Sequence, residues 1–466
     1  MNIELGRPKE HCGIVGIYGV EDAARDVYFG LFALQHRGQE SAGISSAYGK
    51  YIFTRADMGL IPAVFDEEDI TKLVGDMAIG HTRYSTYGGS KKEYCQPVSL
   101  DKNLVLAHNG NLPITKPLED FLDSKGIDWN NCNDTMLMYK AINYNLKRGS
   151  GLSDAVEQIY HLVDGVYACI AMTAREFVVF QDRCAIKPLC MGKVGKSGYI
   201  FASETCALDT IGAKFTEEIK PGEMLVLKDN KMRRKQVTAG DLKRDSWEFV
   251  YFARPDSVML GRSIGIVRLT LGKLLAQQYP TDADIVIGVP NSGTTASIGY
   301  AQESGIPWQE GLIKNNYIGR TFIQPNKRSE LVRLKLNPIE EIISGKRIVL
   351  VDDSIVRGTT TPKVINILRN KGAREVHMRI PAPPYKWPDY YGTDTPIQEG
   401  LIAAKNSEEE IRKFIGADSL RYLSFEATIR AIGLPENQLS TSWFTGVYPI
   451  PIGELANNIK GLKTNA

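Results

Sequence analysis

The segment 348–361, IVLVDDSIVRGTTT, limits the fold of this chain more than any other part of its sequence. It begins with an apolar run of strand length, and Asp352 and Asp353 follow that run directly. A short loop with Gly358 and three threonines then leads to Pro362, a residue suited to the first turn of a helix. Ligands bind at the carboxyl ends of strands in open α/β sheets, and a helix N-terminus presents free N–H groups to an anion. The pattern predicts a phosphate site beside two carboxylates, rather than a capped helix start with solvated acids.

The rest of the C-terminal part alternates between strand and helix patterns. The apolar strand candidates lie between amphipathic stretches, an order typical of a parallel sheet covered on both faces. We therefore predict an α/β domain. Its predicted helices are at 267–278, from 294 onwards and at 362–371, and its predicted strands are at 285–289, 348–351 and 375–380.

The N-terminal part instead shows clusters of short strands with a few helices between them. The strand candidates are 12–18, 51–53, 104–106 and 166–172, and the helix candidates are 23–34, 134–146 and 152–163. This arrangement predicts layered α+β packing. The chain becomes basic and polar over 231–244, so we place a domain boundary there, with one domain at 12–240 and another at 241–466.

Composition excludes several classes of protein. The 466 residues carry 56 Lys+Arg and 54 Asp+Glu, a net charge of +2 that argues against a protein coating nucleic acid or an anionic membrane. A hydrophobic content of 43% is too high for disorder, and no apolar run approaches the ~18 residues of a membrane helix. The seven cysteines include no C-x-x-C pair, and residues 1–11 contain no apolar signal core, so we expect a reducing, cytoplasmic location.

The string VDDSIVRGTT resembles the phosphoribosyl pyrophosphate (PRPP) loop of type I phosphoribosyltransferases, in the form found in the glutamine PRPP amidotransferase family. A second strand-to-loop turn at 289–295 resembles the turn that grips pyrophosphate in that family. The resemblance implies one Mg²⁺ per chain, held by Ser292, Asp352 and Asp353. It also implies that PRPP is bound by Asp352, Asp353, Ser354, Arg357, Gly358, Thr359 and Thr360.

Two further segments of the C-terminal part resemble the same family. The motif YFARPDS at 251–257 is similar to its domain-junction motif, although by itself it predicts an ordinary edge strand and turn. The basic stretch 314–338 resembles a flexible loop that closes over PRPP, but it has Asn316 where an arginine is usual and is about two residues short. The resemblance assigns four of its residues to the flexible loop: Lys314, Tyr317, Arg333 and Lys335.

The second signal is Cys12, at the start of CGIVG. An interior cysteine at a strand start is usually a small core residue. Three polar, glycine-containing segments favour another interpretation: LQHRGQESAGI at 34–44, GHTRYST at 80–86 and AHNGN at 107–111. Together they resemble the N-terminal-nucleophile (Ntn) glutaminase domain of amidotransferases. The resemblance to the PRPP amidotransferase family runs from residue 12 to about 450.

The chemistry of glutamine hydrolysis indicates why Cys12 would become an N-terminus. The amide is inert and needs a thiolate nucleophile, but a thiol with a pKa of ~8.5 needs a base. Cleavage after His11 would give Cys12 an α-amine with a pKa of ~7.7–8, which can accept and return a proton. We therefore predict that residues 1–11 are a propeptide that is removed.

The other predicted residues of the glutamine site bind the substrate. Arg83 is a natural bidentate partner for the glutamine α-carboxylate. Asp134 matches the family's acid for the α-amino group, with a helix N-cap as its other interpretation. Asn109 and the Gly110 N–H match the oxyanion hole. His36, His81 and His108 are expected to be structural.

The resemblance implies one reaction for the two domains. Glutamine, PRPP and water would give 5-phosphoribosylamine, glutamate and pyrophosphate, the first step of de novo purine (IMP) biosynthesis, with ammonia passing through a dry internal path. It also implies a homotetramer and feedback by purine nucleotides of the AMP and GMP type, without a nucleic-acid or membrane partner. Two alternatives are a PRPP-sensing regulator without turnover and a stand-alone amidohydrolase with a non-catalytic partner domain.

One branch of the family carries an iron–sulfur cluster held by four cysteines in the C-terminal part. This chain has no cysteine after Cys206. Alignment with the motifs of that branch places non-thiol side chains at the ligand positions, which are Trp247, Asp389, Asn437 and Ser440. We therefore predict a protein without an iron–sulfur cluster.

Overall fold

Antiparallel pairing dominates the part of the chain that the structure describes up to Gln236. The computed structural model describes residues 12–84, 92–315, 335–393, 395 and 397–459. In the N-terminal part of these residues, one sheet has seven strands in the spatial order Lys214–Glu218, Cys190–Val194, Gly198–Ala202, Gly13–Tyr18, Met77–Arg83, Ser41–Tyr48 and Tyr51–Met58. The other has five strands in the order Lys231–Gln236, Glu223–Lys228, Phe177–Gln181, Asp164–Met172 and Val105–Ile114.

These sheets face each other between two layers of helices. Side chains from both sheets, among them Ile14, Ile79 and Ile170, form one buried apolar cluster between them. A second cluster joins the seven-stranded sheet to its helices, and a third joins the five-stranded sheet to the others. The helices are Ala23–Ala33, Ile61–Val64, Glu67–Lys72, Lys116–Ser124, Asp134–Lys147, Leu152–Tyr160 and Thr205–Thr210. The predicted layered α+β fold is confirmed.

A parallel sheet forms the centre of the C-terminal part. Its four described strands lie in the order Ile285–Gly288, Arg347–Val351, Glu375–Ile380 and Ser419–Tyr422, and all of their pairings are parallel. All four residues of the first strand are buried, as a sheet covered on both faces requires. The helices are Ile264–Gln278, Thr294–Ser304, Glu340–Ile343, Thr361–Asn370, Ile402–Lys405, Glu408–Ile415, Phe425–Ile432 and Ser442–Thr445. The predicted α/β fold is confirmed.

One local prediction was wrong. The YFARPDS motif is not an edge strand: a helical turn at Glu248–Phe252 runs into it, with four fully or nearly buried residues. The basic segment 231–244 also contains a strand that the sequence did not indicate, because Lys231–Gln236 pairs along its whole length with Glu223–Lys228. Its side chains are mostly exposed, so the sequence lacks the apolar pattern that predicts a strand. Backbone hydrogen bonds to the neighbouring strand hold this edge strand in place.

The two parts of the chain contact each other beyond residue 240. An apolar cluster combines Val166 and Ile186 with Tyr391 and other C-terminal residues, and within the C-terminal part Arg244–Asp245 pairs with Leu439–Ser440. The placement of the domain boundary near residue 240 stays a prediction. Within the described ranges, no helix has both the length and the apolar character needed to cross a bilayer.

Candidate active site

Cys12 lies immediately before the central strand Gly13–Tyr18 of the seven-stranded sheet. Because Gly13 pairs with Thr82, the thiol lies at the end of the strand that finishes with Arg83. Its Sγ is 3.9 Å from the carbonyl oxygen of Tyr84. Burial raises the pKa of the Cys12 thiol, and the charge of Asp134 also raises it, while the charge of Arg83 lowers it. The structure therefore brings Cys12, Arg83 and Asp134 within electrostatic reach of one another.

Arg83 is almost fully buried at the end of its strand, with 4% exposure. Its guanidinium carbon lies 5.8 Å from the centre of the Tyr94 ring. A planar guanidinium held in this way keeps the orientation that a bidentate contact with a carboxylate needs. The neighbouring segment 85–91 lies outside the described residues.

Asn109 and Gly110 lie on the strand Val105–Ile114, next to the central strands of the first sheet. The Nε2 of His81 donates to the carbonyl oxygen of His108 over 3.1 Å and so ties this strand to the strand of Arg83. Asn109 is 1% exposed, and neither polar atom of its amide has a hydrogen-bond partner among the described residues. Gly110 has a φ of 151°, and a Cβ there would clash with the carbonyl oxygen of Val166.

Asp134 is the first residue of the helix Asp134–Lys147, not its N-cap. The N-cap is Asn133, whose side chain accepts from Met136 N, so the capping interpretation of Asp134 was wrong by one residue. The Asp134 carboxylate accepts from Leu112 N over 3.2 Å and from Thr135 N over 2.7 Å. Its position is therefore fixed by backbone groups.

Hydrogen bonds and burial define the surroundings of the three histidines. The pKa of His81 falls to about 3, because burial penalises the charged ring. The Nδ1 of His108 bonds Thr135 Oγ1 over 3.1 Å, and the Nε2 of His36 bonds Glu204 Oε1 over 2.8 Å. Their structural role stays a prediction, supported by these contacts.

The second set of predicted residues lies at the carboxyl edge of the parallel sheet. Ser292 follows the strand Ile285–Gly288, and Asp352 follows its neighbour Arg347–Val351. A Cβ on Gly293 would clash with the carbonyl oxygen of Val351 and come within 3.1 Å of the Asp352 Cα. The two turns are therefore in direct contact, and only glycine allows that approach.

Oxygen atoms accumulate where these turns meet. Asp352 and Asp353 are 4% and 1% exposed, and the Ser354 hydroxyl donates to Asp353 Oδ2 over 2.6 Å. The Ser292 hydroxyl is buried and has no hydrogen-bond partner within the described part of the chain. Carboxylates with a hydroxyl are the hard oxygen ligands that Mg²⁺ takes. Within the described ranges, no group of three or more His, Cys, Asp or Glu side chains surrounds a single point.

The predicted PRPP loop connects Asp353 to the helix Thr361–Asn370, with Pro362 in its first turn. Gly358 has a φ of 68°, and a Cβ there would lie 2.6 Å from Ile402 Cδ1. Ile402 N also donates to Val356 O over 2.9 Å, so the helix Ile402–Lys405 holds the loop from outside. The Thr360 hydroxyl is buried at the helix N-terminus, without a partner among the residues described. Thr359 is exposed and Arg357 half-buried.

The predicted flexible loop is described only at its two ends. Lys314 ends the strand Leu312–Lys314, which pairs with Leu336–Pro338, and the carbonyl oxygen of Lys335 accepts from Asn315 N over 2.9 Å. Tyr317 and Arg333 lie outside the described residues.

Sequence reasoning missed a buried ion cluster between the two sites. Arg37 is 1% exposed and binds both Glu204 and Glu248, while its Nε donates to the carbonyl oxygen of Cys12 over 3.2 Å. The arginine belongs to the HRGQE string, which marked the loop as polar. Its two acidic partners lie far away in the sequence and only the fold brings them together.

Comparisons with known proteins agree with this architecture. A family model described as a glutamine amidotransferase domain matches residues 81–210. Another, described as a phosphoribosyl transferase domain, matches residues 262–383. The two matches define the class of protein: an amidotransferase domain joined to a phosphoribosyltransferase domain.

Full-length relatives make the family specific. The amidophosphoribosyltransferase of Bacillus subtilis is 42% identical over 97% of this chain and 97% of its own length. The amidophosphoribosyltransferase of Synechocystis sp. is 42% identical over 98% of this chain and 95% of its own. The structure of glutamine PRPP amidotransferase from B. subtilis, in complex with ADP and GMP, matches with a TM-score of 0.88 and 42% identity over 95% of this chain and 98% of that chain. The chain belongs to the amidophosphoribosyltransferase family.

Proposed function

We propose that this chain transfers the amide nitrogen of glutamine to PRPP, giving 5-phosphoribosylamine, glutamate and pyrophosphate at the start of purine biosynthesis. The observation that carries the proposal is that one chain combines the candidate residues of a glutamine site with those of a PRPP site. The thiol of Cys12 lies within electrostatic reach of Arg83 and Asp134, and paired acids lie at the edge of a parallel sheet.

The N-terminal site would hydrolyse glutamine. Arg83 binds the α-carboxylate and Asp134 the α-amino group, so the side-chain amide extends towards Cys12. The Cys12 sulfur attacks the amide carbon, and its proton passes through the α-amine of Cys12 to the departing ammonia. The Asn109 side chain and the Gly110 N–H stabilise the oxyanion, and water then releases glutamate from the thioester.

Removal of residues 1–11 is part of this proposal. In the intact chain, the nitrogen of residue 12 is an amide and cannot accept the proton, and burial raises the pKa of the Cys12 thiol. A free α-amine supplies the missing base. Intact-mass measurement of active protein tests this, and full activity with residues 1–11 still attached would refute it.

The C-terminal site would hold PRPP by its phosphates and ribose. Ser354, Arg357, Gly358, Thr359 and Thr360 cradle a phosphate at the helix N-terminus. The oxygens of Ser292, Asp352 and Asp353 fit Mg²⁺, which when bound neutralises charge on the pyrophosphate leaving group.

Four residues of the predicted flexible loop would close over the bound PRPP. They are Lys314, Tyr317, Arg333 and Lys335. Closure excludes water while ammonia attacks C1 of the ribose. The ammonia must arrive unprotonated, so we propose a dry path between the two sites.

The proposal includes features of the whole assembly: domains at 12–240 and 241–466, a homotetramer, a cytoplasmic location and feedback by purine nucleotides. Nucleotide feedback is supported by the B. subtilis relative, whose structure is a complex with ADP and GMP.

We also propose that the protein lacks an iron–sulfur cluster. Trp247 occupies a predicted ligand position, and its ring packs 4.4 Å from Trp443 and 5.1 Å from Tyr385, between ring centres. Asp389 and Ser440 are buried, whereas Asn437 is exposed. Because none of these side chains is a thiolate, the site offers no Cys₄ ligand set.

A coupled assay tests the function. Purified mature protein with Mg²⁺ should release pyrophosphate from PRPP with either glutamine or ammonia, and glutamate only with glutamine. Cys12→Ala should abolish the glutamine reaction and keep the ammonia reaction. A protein that binds PRPP without turnover would be a regulator, and one that hydrolyses glutamine without using PRPP would be an amidohydrolase. Either result contradicts the proposal.

A further inference from the structure

The ion cluster around Arg37 lies between the two sites and is hidden from solvent. The Nη1 of Arg37 donates to Glu204 Oε1 over 2.6 Å, and its Nη2 donates to Glu248 Oε1 over 2.6 Å. Arg37 and both glutamates are at most 2% exposed. Burial works against the charge of Arg37, but the two carboxylates outweigh it and raise the pKa of the guanidinium. The arginine therefore stays charged, and removing one partner would leave a buried charge uncompensated.

Both glutamates fasten Arg37 to the YFARPDS region of the C-terminal part. Glu204 accepts from Arg254 N over 2.8 Å and from Ser257 Oγ over 2.7 Å. Glu248 begins the helical turn Glu248–Phe252 that leads into the motif. The YFARPDS region therefore binds, through Glu204, Glu248 and Arg37, the part of the glutaminase domain that carries Cys12.

The same turn is held on its other side by Arg268. Its guanidinium donates to the carbonyl oxygens of Phe249, over 3.0 Å, and Ala253, over 2.7 Å. Burial lowers the pKa of Arg268 to about 10, and Asp353 is the largest influence in the opposite direction. The buried turn Glu248–Phe252 therefore contacts two arginines. Arg37 is hydrogen-bonded to Cys12, and Arg268 lies within electrostatic reach of Asp353.

The contact with Cys12 matters because residue 12 precedes the first strand and has no strand pairing of its own. Once residues 1–11 are removed, the chain no longer restrains residue 12 from its amino side. The Arg37 Nε bond then fixes the carbonyl of Cys12, and so the directions of its thiol and amine. A Cβ on Gly13 would lie 3.5 Å from Arg37 Cβ, so the side chain also packs against the next residue.

We propose that Arg37 is a positioning residue for the glutamine reaction: anchored by Glu204 and Glu248 at the domain junction, it holds the Cys12 carbonyl and aims the nucleophile. This inference rests on the proposed function, in which Cys12 attacks glutamine. It assigns no direct contact between Arg37 and either substrate. A misplaced nucleophile should impair glutamine use alone, since free ammonia reaches the PRPP site without Cys12.

The test compares Arg37→Lys with Arg244→Lys. Lysine keeps the charge but cannot bind Cys12 O and two carboxylates in one plane. Arg244 is a matched control, because it is equally buried and bonds Glu218 over 2.9 Å without contacting Cys12. Arg37→Lys should lower the glutamine-dependent kcat/KM about 10- to 100-fold, the scale of a ~1 Å misplacement. Its ammonia-dependent kcat and its KM for PRPP should stay within about twofold of wild type, and Arg244→Lys should change none of the three.

A second readout separates positioning from general loosening. Peptide mass spectrometry follows the rate at which iodoacetamide alkylates Cys12. In Arg37→Lys this rate should differ from that of wild type, and the pH dependence of the rate should shift. Arg244→Lys should match wild type. Glu248→Gln keeps the shape of the side chain that binds Arg37, so its glutamine-dependent kcat/KM should fall by a smaller factor. This variant tests the inference if Arg37→Lys does not fold.

Two results would overturn the inference. One is a glutamine-dependent kcat/KM within twofold of wild type in both Arg37→Lys and Glu248→Gln. The other is an equal loss of the glutamine and ammonia reactions in these variants. Failure of the proposed function looks different, because Cys12→Ala would then retain glutamine-dependent activity. A normal Arg37→Lys enzyme alongside an inactive Cys12→Ala enzyme would reject only the positioning role.

Discussion

Asn109 combines deep burial with an amide whose two polar atoms have no partner among the described residues. An unpaired buried amide costs about 1–3 kcal/mol, so this side chain weakens the fold. Such a cost is typical of a group oriented for a substrate rather than for the core. The oxyanion of the tetrahedral intermediate, formed when the Cys12 sulfur attacks the glutamine amide, is the partner that the proposed function supplies.

We predict opposite effects of Asn109→Ala on activity and stability. Glutamine-dependent kcat should fall about 10²–10³-fold because one oxyanion donor is lost, while ammonia-dependent turnover is unchanged. The free energy of unfolding should stay equal or rise, since the unpaired amide is gone. Steady-state kinetics with both nitrogen donors and urea unfolding measure the two effects.

Asn143 provides the control for this prediction. It is also buried, but its Nδ2 donates to Asp101 Oδ2 over 2.7 Å. Asn143→Ala should lose stability and keep glutamine activity. An Asn109→Ala enzyme with unchanged glutamine kcat would remove Asn109 from the oxyanion hole.

Candidate residues could be predicted where a short stretch of sequence shows the chemistry. The role of a single residue was harder to predict where a neighbour of similar type could take the same role. The sequence could not separate Asn133 from Asp134 at the helix start, because both are good N-caps. It gave no sign of Glu204 or Glu248 as partners of Arg37, which lie 167 and 211 residues away. Nothing local marks an ion pair formed across such separations.

Among the elements, the strand–loop–helix unit from Arg347 to Asn370 was the most predictable. Its apolar strand, its acids, Gly358 and Pro362 all favour the same local structure. The loop has a second support that the sequence did not indicate, because Ile402 of the helix Ile402–Lys405 packs closely against Gly358.

We predict that Gly358→Ala weakens PRPP binding by disturbing this loop. Alanine would face the strain of a φ of 68° and a contact of 2.6 Å with Ile402 Cδ1. The side chain of Ile402 can move, so the protein should fold, with the loop displaced. The KM for PRPP, measured with ammonia as donor, should rise about tenfold, equivalent to ~1.4 kcal/mol.

The matched control for backbone strain is Gly416→Ala. Gly416 has a φ of 75° at a helix end, but a Cβ there meets no atom within 4 Å. It should cost about 1 kcal/mol of stability and leave the KM for PRPP unchanged. If both variants raised the KM equally, strain would be transmitted generally and the loop would have no special role.

Strands and helical turns whose conformation depends on contacts with distant parts of the chain were harder to predict. The strand Lys231–Gln236 is polar and exposed, and only its partner Glu223–Lys228 makes it a strand. The helical turn Glu248–Phe252 contains aromatic and β-branched residues that favour strands, but its burial between Arg37 and Arg268 decides its conformation.

At the scale of the whole molecule, burial of His81 links folding to pH. Burial lowers the pKa of His81 to about 3 from the ordinary 6.5. As pH falls below 6.5, the unfolded chain binds a proton at this residue and the folded chain does not, so stability is lost. Between pH 7 and pH 5 this site should cost about 2 kcal/mol.

His81→Gln should therefore make the protein less sensitive to acid. Glutamine can still donate to the His108 carbonyl but cannot take up the proton. Asp182 and Asp245 have pKa values raised to about 6 by burial and act in the opposite direction, so the difference between wild type and variant is the quantity to measure. Urea unfolding at pH 7 and pH 5 gives it, and parallel losses in both proteins would contradict the assignment.

Iron content is a second property of the whole molecule. We predict a colourless, oxygen-tolerant protein with far less than one cluster per chain, because Trp247 and its aromatic neighbours offer no thiolate. Metal analysis and the visible absorption spectrum of anaerobically purified protein measure this. Four irons per chain would refute it.

The sequence alone determined the two fold classes and predicted the PRPP loop and the glutamine-site residues, because each depends on residue type and spacing within a short segment. Only the tertiary structure decided which distant groups meet. It placed Arg37 between Glu204 and Glu248, set Ile402 against Gly358 and joined the turns of Ser292 and Asp352. Burial and long-range contact create the charge balance and strain at these points, and neither is a property of any local stretch of residues.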